Sequence, residues 1–341
     1  MFTINEKDIL SKIKIPSEAD PNQPEFPPDN PKFPATPTVQ IQVPGFQNVW
    51  LKDESVNKYS GTHKDRLAWE VVILYHDLLI AKQNKRFSGS LPQFSIISSG
   101  SAAIAIGRML KNYNLPKLKV LVDTHINQKI YEAIKNSHCE VFTTDLSKEE
   151  LGPEKILKLT NNINGFDLTS NRGIALDIGN FDWMSFEIIN ESPDYVFVPF
   201  GSGFVFTKLM EVVKNVIRAP EHDKRYKGNI ATLSHCSFIG ATTTNPNSLA
   251  DKLYSPFLPF AQVSSDWIRF YKTAGYCGDQ TGIHVVHEEF FEQAMKLVSE
   301  QNVSCEPSGI AGLALLLQMG DSVPKDKKIL IINTGKLKLS V

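Results

Sequence analysis

Between Phe94 and Thr144 the chain repeats one pattern: FSIISS, a helical stretch from Ser101 to Lys111, LKVLVD, a helical stretch from Asn127 to Asn136, and CEVFTT. Short apolar runs separated by segments of helical length are what parallel strands need, because parallel neighbours can be joined only by a long crossover. The pattern predicts βαβ units and a sheet flanked by helices. A helix near Lys148 to Asn162 and a weaker strand at GIALDI, 173–178, extend it. After a helix over Asp182 to Asn190, DYVFVPF reads as a strand buried on both faces. The helix Phe204 to Arg218, the strand NIATLSH, the helices Glu288 to Glu300 and Ser308 to Met319, and the strand KILIINTG then predict a second α/β layer.

A length of 341 residues suits two lobes better than one small core. The polar stretch KQNKRFSGSLPQ, Lys82 to Gln93, is the expected hinge between them. Ahead of it, VQIQV and NVWLKDE alternate as short strands, and Leu67 to Ala81 is apolar but broken by Glu70, His76 and Asp77, as in a buried helix. Seven prolines between Asp20 and Pro37 rule out helix or central strand there and predict an arm over the body or a loose tail.

Thirty-six basic residues against 37 acidic ones give a formal charge of -1, so no long-range field favours nucleic acid or an anionic membrane. Neither partner is expected. Cys139, Cys236, Cys277 and Cys305 are widely spaced, which fits reduced, buried thiols and not a disulfide framework. MFTINEKDILSKIKIP lacks the pattern of a secretory signal, and a soluble, cytoplasmic protein is expected.

The chemistry centres on LKDESVNKYSGTHKDRLAW, residues 51–69, and within it on Lys64. A lysine between a Gly-Thr-His turn and an apolar helix is by itself most often a solvated charge. If buried, its amine loses its proton more readily and can form a reversible imine with an aldehyde. The string KDES, Asn57 and SGTHKDR resembles the cofactor-lysine motif of the pyridoxal-phosphate enzymes of fold type II, the tryptophan-synthase-β-like group. Its nearest branches are threonine synthase-like and cysteine synthase-like. His63 before the lysine is the habit of the tryptophan-synthase branch, whereas Asp65-Arg66 is that of the other two.

Further motifs follow in the family's order. Ser98-Ser99-Gly100-Ser101 between a strand and a helix is an ordinary cap in isolation, but a helix start also binds anions. In the family a similar loop grips the substrate carboxylate, which implies that role for Ser98, Ser99, Gly100 and Ser101. Ser101 also stands where the family's Asn contacts the ring hydroxyl of the cofactor. Gly201-Ser202-Gly203 after DYVFVPF is a weak Gly-x-Gly signal alone. By resemblance it cradles the cofactor phosphate, with Phe204 replacing a further glycine. INTGKLK resembles the segment that places a hydroxyl, here Thr334, against the pyridine nitrogen. Glu306 in an Glu-Pro-x-Gly segment is equally structural or functional, and SLADKL, 248–253, is also family-like.

The resemblance covers roughly Val39 to Lys338 and implies an α/β fold of two lobes, each with a mostly parallel sheet flanked by helices. Residues 1–85 and 190–341 would form the large cofactor-binding lobe, with the proline-rich arm at 20–37, and 86–189 a smaller mobile substrate lobe. Pyridoxal 5'-phosphate would be held by Lys64, His63, Ser101, Gly201, Ser202, Gly203 and Thr334. Lys64 would be the catalytic residue, acting on a small amino acid by β- or γ-elimination or replacement in a homodimer. The departures at Ser101 and Phe204 leave open a homologue that binds the cofactor with altered chemistry. No metal site is expected, since His284, His287 and Glu288 lack ligand spacing, and no nucleophile elbow is present.

Overall fold

The computed structural model describes residues 6–13, 33–86, 88–169, 179–221, 223–254 and 263–339. In chain order the elements are α1 (Glu6–Lys12), β1 (Thr38–Val43), β2 (Phe46–Asp53), α2 (Lys64–Gln83), β3 (Phe94–Ile97), α3 (Ser101–Asn112), β4 (Leu118–Asp123), α4 (Gln128–Lys135), β5 (Cys139–Thr144), α5 (Pro153–Leu159) and β6 (Phe166–Asp167). There follow α6 (Gly179–Ile189), β7 (Tyr195–Pro199), α7 (Phe204–Arg218), α8 (Ile230–His235), β8 (Ser237–Thr242), α9 (Ser265–Thr273), β9 (Gly282–Val285), α10 (Glu288–Ser299), α11 (Ala311–Met319) and β10 (Lys328–Asn333).

The strands form two sheets. One has six strands in the order β1-β2-β10-β7-β8-β9, the other four in the order β5-β4-β3-β6. Only β1 and β2 run antiparallel, as a short hairpin allows; every other pairing is parallel. The most apolar of the predicted strands are buried: Val196, Phe197 and Val198 of β7 and Ile329 to Ile332 of β10 are fully covered, whereas β5 at the sheet edge buries only Cys139. This is the α/β architecture expected, with both faces of each sheet served by helices.

Residues 1–85 divide between the sheets. β1 and β2 join the six-stranded sheet, whereas Ala68, Val71, Val72, Tyr75 and Leu79 of α2 lie in one apolar cluster with Phe94, Ile104 and Val120 of the four-stranded layer. The helix that starts at Lys64 is thus packed with the elements that carry the serine loop.

Two expectations need correction. NIATLSH is not a strand but α8, because the Asn229 side chain accepts the Ala231 N–H at 2.8 Å and starts a helix; the strand is the following SFIGAT, covered in the sheet between β7 and β9. The helix expected from Lys148 begins only at Pro153, a residue suited to a first helical position. GIALDI and most of the proline-rich arm lie outside the described residues. The end of the arm is fixed: Phe33 is buried and Thr36 Oγ1 donates to Glu54 Oε1 at 2.6 Å. Among the described residues no helix is long and apolar enough to cross a membrane, and no group of three His, Cys, Asp or Glu could hold a metal ion. The four cysteines are buried and free.

Candidate active site

The carboxyl ends of β2, β3, β7 and β10 lead into the segments that surround one cavity of about 450 Å³. Ligand sites of parallel α/β sheets form there, because each strand end delivers a loop and the start of a helix to the same rim. The cavity is lined by His63, Lys64, Ser98, Ser99, Ser101, Gly201, Ser202, Gly203 and Thr334, so nearly all the residues singled out above are brought together. Gly100 does not line it; it precedes α3 with φ +143°.

Lys64 owes its position to a buried ion network. Arg66, two residues on, donates from Nε to Glu54 Oε2 and from Nη2 to Glu54 Oε1, both at 2.9 Å, and from Nη1 to Glu187 Oε1 at 3.0 Å. Lys52 Nζ lies 2.6 Å from Glu187 Oε2. Burial alone would raise the Glu54 carboxyl, but the Arg66 charge, hydrogen bonds from Arg66 and Thr36, and the Lys52 charge outweigh it and hold it down at about 2. Asn57 donates to Glu54 Oε2 at 2.9 Å and to the Thr62 carbonyl at 3.0 Å, while Asp65 accepts the N–H groups of Tyr59 and Ser60 at 2.6 and 2.9 Å. The motif residues around Lys64 therefore shape its turn.

The amine has an aromatic neighbour, with Nζ 6.0 Å from the centre of the Phe181 ring. Burial lowers its pKa from 10.5 to about 8, which makes the free amine accessible near neutral pH. His63 lies 5.7 Å from the same ring, and burial, aided by the Lys64 charge, drives it down to about 3. Its Nδ1 stands 3.3 Å from the Thr334 carbonyl oxygen, which can only accept, so the neutral ring carries its proton on Nδ1.

Two helix starts open on the cavity. At α7, Gly203 takes φ +82°, a conformation costly for any residue with a side chain. Phe204 is the first helical residue and needs no such φ, so its replacement of a glycine leaves the loop intact. Among the described residues no acceptor is found for the N–H groups of Gly201, Ser202 and Gly203. At α3, the Ser98 hydroxyl accepts from Gly100 and Ala103 N–H at 3.1 and 3.2 Å and is buried. Ser98 is thereby a capping residue, and among the described residues no acceptor is found for the N–H groups of Ser99, Ser101 and Ala102 at this end. An amine between two helix starts with open N–H groups fits the chemistry of pyridoxal phosphate: Lys64 would take its aldehyde, the α7 end its phosphate and the Thr334 hydroxyl its ring nitrogen.

Sequence reasoning missed Phe181, Lys208, Glu211 and Lys252, which also line the cavity, and left Glu306 undecided. Lys252 Nζ reaches both oxygens of Glu306, at 2.6 and 2.5 Å. SLADKL carried the signal for Lys252, but nothing local to it announces a partner 54 residues away. Glu288 holds the 245–249 turn, accepting Leu249 N–H at 3.0 Å.

The family model described as pyridoxal-phosphate dependent enzyme matches residues 32–335. The chain belongs to this family. No curated protein sequence matches it. Among solved structures, O-ureido-L-serine synthase is similar with a TM-score of 0.62 at 17% identity, over 88% of this chain and 89% of that one. A hydrogen sulfide-producing enzyme from Fusobacterium nucleatum gives 0.60 at 17%, over 90% and 95%. Serine racemase from maize gives 0.58 at 17%, over 85% and 83%. At these identities the likeness establishes the fold. Family membership gives pyridoxal 5'-phosphate as the cofactor, and the cavity has the groups to hold it.

Proposed function

We propose that the protein acts on a small amino acid by β- or γ-elimination or replacement, with Lys64 as both cofactor anchor and base. One observation carries this: a half-buried amine of lowered pKa shares a cavity with two helix starts at which the N–H groups of Ser99, Ser101 and Ala102 and of Gly201, Ser202 and Gly203 have no acceptor among the described residues. The names of similarly folded proteins, an O-acetylserine dependent cystathionine beta-synthase, a threonine deaminase and a diaminopropionate ammonia lyase, support an amino-acid substrate.

Pyridoxal phosphate, when bound, supplies the electron sink that allows a Cα–H bond to break. The open N–H groups of Ser99, Ser101 and Ala102 bind the substrate carboxylate and thereby aim Cα at the lysine. Lys64, whose lowered pKa leaves a fraction of the amine neutral at physiological pH, takes the proton from Cα and returns it to the departing group or the product. Thr334, a neutral hydroxyl, orients the ring without donating a charge, a bias toward elimination and replacement. His63 and Phe181 shield one side of the amine from water.

Borohydride trapping of pyridoxal phosphate, followed by peptide mapping, is expected to label Lys64. Turnover across hydroxy-, acyloxy- and phospho-amino acids then identifies the leaving group. Trapping without turnover on any of them supports a cofactor-binding homologue of altered chemistry, and trapping at another lysine overturns the Lys64 assignment.

A further inference from the structure

The segment after β10 does more than end a strand. Lys336 N–H donates to Gly61 O at 2.9 Å and Lys338 N–H to Ser60 O at 2.8 Å, while Thr62 and Gly335 form an antiparallel bridge. The contact is close because both sides have glycine: a Cβ on Gly61 would lie 2.6 Å from Lys336 O, and one on Gly335 2.1 Å from Gly61 O. Lys338 Nζ adds a bond to Asn57 O at 3.2 Å. This face of the segment is therefore bonded along the turn that presents Lys64.

Leu337, between the two bonded residues, serves the opposite side, as alternation in an extended segment requires. Its side chain packs against the apolar cluster of α2 and α3, and a Cβ on Gly100 would lie 3.7 Å from its Cδ2. Leu337 thus backs the serine loop. A second link comes from Arg108, seven residues after Ser101 and so on the same face of α3. Its Nη1 donates to Tyr59 O at 2.7 Å and its Nη2 to Leu339 O at 3.1 Å. One guanidinium joins the helix of the serine loop, the Lys64 turn and the segment after β10.

We infer that residues 335–339 are a strap that sets the spacing between Lys64 and the serine loop, with Leu337 and Arg108 as positioning residues. The inference rests on the proposed function for its catalytic meaning. The strap holds the anion-binding end of α3 at the distance from the amine at which a bound carboxylate would present Cα. Loosening it widens the distribution of that distance without touching the groups that bind or react.

The test uses Leu337→Ala, Arg108→Ala and Arg108→Lys in the full chain. Backbone hydrogen exchange without cofactor is expected to rise in Leu337→Ala at both 59–63 and the bonded amides of Gly100, Ala103 and Ile104, and to stay at the wild-type level in α10. Arg108→Lys, which keeps a charged donor, should restore part of the protection lost in Arg108→Ala. Unchanged exchange at either segment overturns the strap whether or not the function holds. With pyridoxal phosphate, Leu337→Ala should still be trapped at Lys64, while the half-saturating concentration of L-serine, read from the shift of the cofactor band, rises about ten- to a hundredfold. Equal L-serine titrations in wild type and variant also overturn the inference. Failure of trapping in the wild type instead counts against the proposed function, and the exchange data alone then decide the strap.

Discussion

His63 reaches the carbonyl oxygen of Thr334 twice, through its backbone N–H at 3.0 Å and through Nδ1 at 3.3 Å. The lysine turn and the hydroxyl at the end of β10 are consequently fixed to each other before any ligand enters. His63→Ala removes the ring that covers Lys64 beside Phe181, and water then reaches the amine. The midpoint of Lys64 reactivity should move from about 8 toward its ordinary value of 10.5, measured as the pH dependence of cofactor capture.

In the wild type, capture of pyridoxal phosphate should rise with pH through about 8 and level off above it, and Lys64→Ala should show no lysine-bound band. The stability effect has the same sign. With a folded pKa of about 8 below the ordinary 10.5, the unfolded chain binds more protons between these values, so stability rises with pH across that window. A Lys64→Met variant should lack this rise in a comparison of Tm against pH.

Glu54→Gln leaves the Arg66 guanidinium, fully buried, with a weakened partner. Breaking such a pair costs about 3–5 kcal/mol, which denaturant titration would register. The Glu54 carboxylate, at about 2 in the fold against an ordinary 4.5, contributes its full stability above 4.5 and loses it as pH falls toward 2. A variant no less stable than wild type at neutral pH would contradict this account of the network.

The serines of the α3 start should separate by assay. Ser98→Ala removes an acceptor from two N–H groups and should cost roughly 0.5–2 kcal/mol of stability, as loss of a helix cap does. Ser99, exposed and without a structural bond of its own, should leave Tm unchanged on replacement by alanine, and because the open N–H is kept, amino-acid binding should stay near the wild-type level.

Much of the fold was legible because parallel strands buried on both faces have to be apolar throughout. DYVFVPF and KILIINTG could hardly be anything else. Where burial is shared between adjacent apolar stretches the pattern loses its meaning, and at 229–242 the strand was placed one element early. Of the candidate site, the glycines, serines and lysine singled out in the sequence line one cavity, with Gly100 as the exception. The Arg66 bond to Glu187 spans 121 residues and Lys252 finds Glu306 across 54, and no local periodicity encodes such pairings. Ser98 looked like its neighbours in sequence, yet the direction of its hydroxyl made it a cap.

α2 carries Lys64 at its first residue and spends its apolar side chains on the layer of β3 and α3, whereas Gly201 to Gly203 and Thr334 belong to the other sheet. A molecule bonded to the lysine and gripped by its phosphate therefore spans both layers as a tie rod. Loading the protein would add one more tie between halves that the bonds of His63 to Thr334 already join, so that cofactor content would bear on the stiffness of the molecule as well as on its chemistry.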